Sequence, residues 1–354
     1  NTGIDAGLFN DKLMFTVEGF IRDTKGMLQQ GVALPGVYGA NSPLMNSADL
    51  RTSGYEISFS WRDQIDLGGK PFGYSISANI SDNKTIITKY DNPERTFAKD
   101  YYEGMELGEI WGYVVDGYFT SEEEIANHKV DQSYVNNMIN VCVIDKGLHP
   151  GDLKFVDMDG DRVIAPTLTA NDVKDMVVIG NSLPRFTHSL RLNAQWAGFD
   201  LSLLFNGVGR QHWYPASNTC LFWGPYARPF ASWIPSDLMT KVWSEDNPDS
   251  YFPRPRGYIA MKDGRALGTV NDRYLQNVGY CRLKNLTFGY SLPKKWMDKA
   301  NMEAVRVYFS GENLGYYAPG FHTEHMDPES AKQGDKSHIY PWQKTFMFGV
   351  DITF

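Results

Sequence analysis

The chain has 354 residues and a formal charge of −8, which argues against a surface built for nucleic acid. Its mean hydropathy is −0.39 and no apolar run approaches the ~18 residues of a membrane-crossing helix, so no helix is expected to span a bilayer. A barrel is not excluded by these totals, because only alternate residues of its strands meet lipid.

Nine or ten strands are predicted, depending on whether 105–119 contributes. In chain order they fall near 2–10, 12–28, 49–65, 70–90, 105–119, 185–197, 199–213, 277–292, 303–316 and 343–354. The signal is alternation. Leu13, Phe15, Val17, Gly19 and Ile21 alternate with Met14, Thr16, Glu18, Phe20 and Arg22; Tyr55, Ile57, Phe59 and Trp61 alternate with Glu56, Ser58, Ser60 and Arg62. Phe72, Tyr74, Ile76, Ala78 and Ile80 follow the same rule against Gly73, Ser75, Ser77, Asn79 and Ser81. Leu190, Leu192, Ala194 and Trp196 do so against Ser189, Arg191, Asn193 and Gln195, and Phe199, Leu201, Leu203 and Phe205 begin a further run. The last run sets Phe346, Phe348, Val350, Ile352 and Phe354 against Met347, Gly349, Asp351 and Thr353. Successive strand side chains point to opposite faces, so each segment has one apolar and one polar face.

Length and chemistry then favour a membrane. These runs cover roughly 9–13 residues, against 5–6 for the usual soluble strand and 9–11 for a strand tilted through a bilayer. The polar parity is Ser, Thr, Asn and Gly with occasional Arg or Glu, rather than rich in Lys and Glu, as expected for the lumen of a wide barrel. Trp61, Trp196, Tyr290 and Trp342 stand at strand ends, where rings are stable at headgroup depth. Tight turns at Asn10 and Asp11, Gly68 and Gly69, and Ala197 and Gly198 alternate with long excursions at 91–183, 213–275 and 317–341. Short periplasmic turns and long extracellular loops give barrels this asymmetry. The fold class expected is therefore all-β, an antiparallel transmembrane β-barrel. A large soluble glycan-binding β-protein is the alternative.

Eight phrases carry a resemblance. Residues 1–9 (NTGIDAGLF), 50–60 (LRTSGYEISFS), 108–125 (GEIWGYVVDGYFTSEEEI) and 150–164 (PGDLKFVDMDGDRVI) are followed by 178–185 (VIGNSLPR), 280–293 (YCRLKNLTFGYSLP), 305–314 (VRVYFSGENL) and 346–354 (FMFGVDITF). In colinear order over nearly the whole chain, they resemble the carboxy-terminal part of the SusC/RagA family of TonB-dependent outer-membrane transporters. The resemblance implies a 22-stranded barrel plugged by an amino-terminal domain. It also implies import of oligosaccharides or peptides, with energy relayed by TonB and capture aided by a SusD-like surface lipoprotein. Residues 1–354 are expected to be one carboxy-terminal barrel portion, lacking plug, TonB box, early strands and signal peptide. About ten strands cannot close such a barrel, so the remaining strands and plug are expected as partners, together with outer-membrane lipid. Phe346, Phe348 and Phe354 resemble the signal read by the barrel-insertion machinery, and equally complete a lipid-facing strand. A siderophore or cobalamin receptor of the broader TonB-dependent class is a second alternative.

Several motifs bear on sites. The loop from Trp213 to Tyr258 concentrates eleven aromatic residues, with Arg210, Arg228, Arg254 and Arg256 close by. Such a loop must pack on something. Trp213, Trp223, Tyr226 and Trp233 are the candidates for substrate contact; packing against plug, loops or lid is the competing use. Asp157, Asp159 and Asp161 occupy positions 1, 3 and 5 of a calcium-type loop, and Asp172 is a candidate to complete it. Arg162 stands where that loop has Gly, and Leu168 where it has Glu, so a structural Ca²⁺ competes with a simple Asp/Gly turn. No other cofactor is expected. Ser121 to Glu124 reads as a capping box. His322, Thr323, Glu324 and His325 lack the HExxH spacing of a helical zinc site. Cys142, Cys220 and Cys281 show no CxxC and read as isolated thiols. No nucleophile elbow, phosphate loop or dinucleotide fingerprint stands in a fitting context, so no enzyme is expected.

Overall fold

The computed structural model describes residues 1–30, 35, 37, 39, 43–136, 147–217, 219–227, 234–255, 266–332 and 342–354. Nine strands form one sheet: β1 (Thr2–Leu8), β2 (Leu13–Gln30), β3 (Leu44–Asp66), β4 (Pro71–Lys89), β5 (Arg185–Trp196), β6 (Phe199–Arg210), β7 (Tyr280–Ser291), β8 (Ala304–Tyr317) and β9 (Thr345–Thr353). Each pairs antiparallel with its neighbours in chain order, so the sheet is an up-and-down meander with β1 and β9 at its two edges. The alternation of connections is complete. Segments 9–12, 67–70, 197–198 and 292–303 turn at one end, while the long connections after β2, β4, β6 and β8 leave the sheet at the other. Positive φ at Ala197 and Gly198 gives the two-residue β5–β6 turn the left-handed backbone that suits strand twist.

Register aligns the sequence alternation into rows. One row runs Leu13, Trp61, Ile76, Leu192, Leu203 and Leu286 across six strands, and the next residue along gives Met14, Ser60, Ser77 and Arg191. A one-residue slip would exchange the two faces, so the pattern fixes the register. The apolar face is bare: Ile21 is 67% exposed and Phe348 84%. Strands β2, β3 and β4 have 18, 23 and 19 residues, about twice what a bilayer crossing needs, so they project beyond the belt at the long-loop end.

The predicted strand at 105–119 is not part of this wall. It divides into Glu109–Tyr113, paired with Met176–Asn181, and Val115–Tyr118, paired with Leu153–Phe155. Both parities of the first piece are covered, so it has no face to offer lipid. Gly117, at φ 89°, has a backbone that disfavours a continuous ladder.

The buried core is in the long connections. Tyr113, Phe155, Phe222, Trp223, Phe252, Tyr274, Phe321 and Met326 belong to one cluster, drawing on 90–184, 211–279 and 318–344. We call this unit the cap.

Candidate functional site: the inner wall and its aromatic cap

The polar parity of the sheet is laced together across strands. Ser60 Oγ lies 3.2 Å from Ser77 Oγ, and Ser81 Oγ 2.6 Å from Thr187 Oγ1. Asn193 donates to Ser75 Oγ at 3.1 Å and accepts from Ser202 Oγ at 2.8 Å. At the short-turn end, Arg306 donates twice to Asp200, at 2.9 and 2.7 Å, and once to Asp351 at 3.2 Å. A cavity of about 1100 Å³ lies along this face, lined by Arg62, Gln64, Ser75, Asn193 and Gln195 among others. A second, of about 490 Å³, adds Thr16, Ser58, Asn79 and Arg191. These hydroxyl, amide and guanidinium groups can hold a polar, uncharged or zwitterionic solute by hydrogen bonds. The alternation had identified them only as a polar face, not as a site.

Rings collect on the other face at the short-turn end. Phe9 meets Trp61 edge-on at 6.1 Å, and Trp61 Nε1 donates to Tyr74 Oη at 3.2 Å. Trp196 Nε1 donates to the Leu67 carbonyl at 3.2 Å, and Phe199 sits 4.5 Å from Tyr290. Trp342 departs from this girdle: the Lys284 ammonium lies 4.6 Å from its ring centre.

The cap accounts for most of the aromatic loop. Trp223 is fully buried, its Nε1–H donating to the Pro215 and Ala216 carbonyls, each at 3.1 Å. Tyr226 is buried and donates to the Pro253 carbonyl at 2.6 Å. Both rings therefore lack a free face, and substrate stacking on them is excluded in this conformation. Trp213 is half-buried, edge-on to Phe321 at 6.4 Å. Trp233 lies outside the described residues, as does Cys142. Deeper in, Arg273 donates to Tyr118 Oη at 3.0 Å and to the Ser250 carbonyl at 2.6 Å, while its guanidinium covers the Tyr118 ring at 4.3 Å. Burial pushes the hydroxyls of Tyr214 and Tyr274 well above their ordinary range, so they act as neutral hydrogen-bonding groups. The His322 ring packs 5.1 Å from Tyr251.

An ionic clamp joins cap to wall. Arg282, on the inner parity of β7 and almost fully buried, donates to Asp327 at 2.6 Å and lies 3.1 Å from Glu329. Lys284 reaches the same Glu329 at 2.7 Å. Removing one partner would strand a buried charge, a cost of about 3–5 kcal/mol.

The acidic loop is arranged differently from the expected set. Carboxylate oxygens of Asp157, Asp159 and Asp175 lie within 4.8 Å of one another. Asp161 instead accepts from Val163 N at 2.8 Å, and exposed Asp172 lies 3.9 Å from Lys174. Asp175 comes from beyond the loop, held by the amides of Met158 at 2.8 Å and Ala165 at 2.7 Å. Burial, then the charges of Asp159 and Asp157, raise its pKa. Three hard oxygens suit a Ca²⁺-like ion. Lys174, 3.2 Å from Asp159, supplies a competing internal cation. Arg162 adopts φ 68°, the left-handed backbone that calcium loops reserve for Gly at this position. The capping box forms with one change: Ser121 Oγ accepts from Glu124 N at 3.1 Å, but the Glu124 carboxylate returns to Thr120 N at 2.8 Å.

A meander of long strands, bare and apolar outside and hydrogen-bonded inside, is the wall of an antiparallel transmembrane β-barrel, and the known proteins it is similar to are TonB-dependent receptors and transporters. The comparisons with known proteins agree. TonB-dependent receptor P3 of Formosa agariphila is 26% identical over 99% of this chain and 33% of its own length. TonB-dependent receptor SusC of Bacteroides thetaiotaomicron is 23% identical over 100% of this chain and 31% of its own. The RagAB peptide importer in its open-open state shares the fold with a TM-score of 0.67 at 20% identity, covering 99% of this chain and 34% of that one. No family model matches. The chain spans about a third of the length of the relatives it matches.

Proposed function

We propose that this chain is the carboxy-terminal barrel portion of a SusC-like importer, which draws oligosaccharides or peptides across the outer membrane with energy from TonB. One observation carries the reading: the same nine strands expose an apolar belt on one side and a hydrogen-bonding wall on the other. A soluble β-protein would bury the first against a second layer. In this reading the long-loop end is extracellular and carries the cap, over which a SusD-like lipoprotein sits. Further strands and a plug complete the barrel, since free edges at β1 and β9 are not tolerated in hydrocarbon. Substrate is held by inner-wall groups such as Arg62, Arg191, Asn193 and Gln195, with Trp213 at the cap. Phe346 and Phe348 on the last strand, with Phe354 directly after it, serve insertion.

The test is uptake by cells lacking the gene, offered labelled oligosaccharide and peptide pools. Loss of one pool, restored by the gene, is expected; unchanged uptake of both, or a protein recovered in the soluble fraction, overturns the proposal. The Asp157, Asp159 and Asp175 group is assigned in the same reading to a structural divalent cation. Ca²⁺ should then stabilise the full-length protein by about 2.7 kcal/mol at a hundredfold excess over Kd. Calorimetry showing no heat and no Tm change in Ca²⁺ would remove the ion from the account.

A further inference from the structure

The connection 292–303 between β7 and β8 differs from its neighbours at the short-turn end. The other three are tight turns. This one forms a helical turn, Lys294–Met297, continued by Asp298–Ala300 and closed by Asn301 at φ 53°. Met297 is only 5% exposed, and the helix packs against the start of β8. Val305, the first residue of β8 on the apolar parity, is 8% exposed, whereas Val307, Val350 and Ile352 on that parity are open. What covers Val305 therefore comes from the outer side, which places the helix along the outer rim of the wall rather than across the lumen mouth.

Away from Met297 the helix presents an unusual set. Trp296 is 60% exposed, and Lys294, Lys295 and Lys299 are exposed with no ion pair among the described residues. Lys294 and Lys295 open the helical turn, and Lys299 lies in the 3-10 turn that continues it. Trp196, Phe199 and Phe354 are exposed at the same end, so the helix continues the ring girdle. A solvated lysine face alone would leave Trp296 in water. An indole at headgroup depth and ammonium groups beside phosphates satisfy both chemistries at once.

We infer that the helix Lys294–Met297, with Lys299, is an interfacial anchor for anionic phospholipid headgroups in the leaflet at the short-turn end. The inference rests on the membrane reading above. Its occupant is a lipid surface: three lysines outnumber Asp298 and Glu303 in this connection, leaving it net positive in a chain of net charge −8, and it adjoins the apolar belt.

The test uses the full-length protein in nanodiscs of phosphatidylcholine with or without phosphatidylglycerol, with retained lipid read by native mass spectrometry. The K294Q/K295Q/K299Q variant should lose phosphatidylglycerol by about fivefold per lysine, with phosphatidylcholine little changed. The matching Lys→Arg variant should retain it, as should Lys241→Gln at the opposite end. Equal phosphatidylglycerol retention by the Gln variant would overturn the inference. So would displacement of the lipid by inorganic phosphate, which would mark an anion pocket instead of a surface. Outer-membrane fractionation and heat-modifiable migration of every variant separate these outcomes from failure of the importer reading, in which the wild-type protein itself would not partition with membranes.

Discussion

In the wall, Phe348 and Ile21 lie open on the outer face; in the cap, Trp223 and Tyr274 expose nothing. The two regions use the same residue types under opposite conditions. Wall strands leave their apolar side chains to an external solvent and satisfy their backbone through neighbouring strands. The cap has few long ladders, so it buries its own rings and holds polar tips through individual bonds, as the Tyr118, Tyr251 and Arg273 contacts do, while Tyr113 Oη and Trp243 Nε1 have no partner among the described residues. An apolar residue is therefore a matter of solvent choice in the wall and of packing density in the cap.

That contrast can be broken most sharply at Trp223. Replacing it by Ala should cost the cap about 3–5 kcal/mol, since a large cavity opens among rings that cannot collapse. Hydrogen exchange should show faster amides across 213–255 and unchanged protection in β5 and β6. Equal loosening of the wall would mean the two regions fold as one unit. A smaller effect tests the wall's sidedness. Phe348→Arg, in mid-strand on the apolar face, should cost about 2–4 kcal/mol of barrel stability, while Ser189→Arg on the inner face should cost little. Folding yield in lipid measures both, and matching losses would contradict the assignment of faces. The smallest effect sharpens the cap's local electrostatics. The Glu124 carboxyl is held at about 2 by the Thr120 amide and then by Lys154. Its folded pKa is depressed, so its contribution is complete above the ordinary value of 4.5 and is lost as pH falls towards about 2. Glu124→Gln should loosen the helix Glu122–Asn127 by about 1 kcal/mol at neutral pH and flatten that pH dependence in amide exchange.

Much of the wall was legible because its period is two: nine of the strand assignments stand within a few residues. The segment 105–119 misled because Ile110, Gly112 and Val114 alternate with Trp111, Tyr113 and Val115 in a way that a short, doubly buried ladder also allows. The candidate site was legible only in part. Trp223 and Tyr226 were recognisable as rings in need of a partner, yet nothing local says whether a ring turns towards solute or towards other rings. Asp175 was invisible beside the Asp157 loop, because its approach depends on how the intervening segment folds back.

By itself, then, the sequence determined the faces, the register and the short-turn geometry of this protein. Alternation, residue size and positive-φ turns act over a few residues and need no distant contact. Only the tertiary structure decided that the aromatic excursions close into a cap, that Arg282 clamps it to β7, and that a basic helix rides the outer rim. Those outcomes depend on side chains far apart in the chain finding each other, and loop closure leaves no periodic trace in the residues that make it.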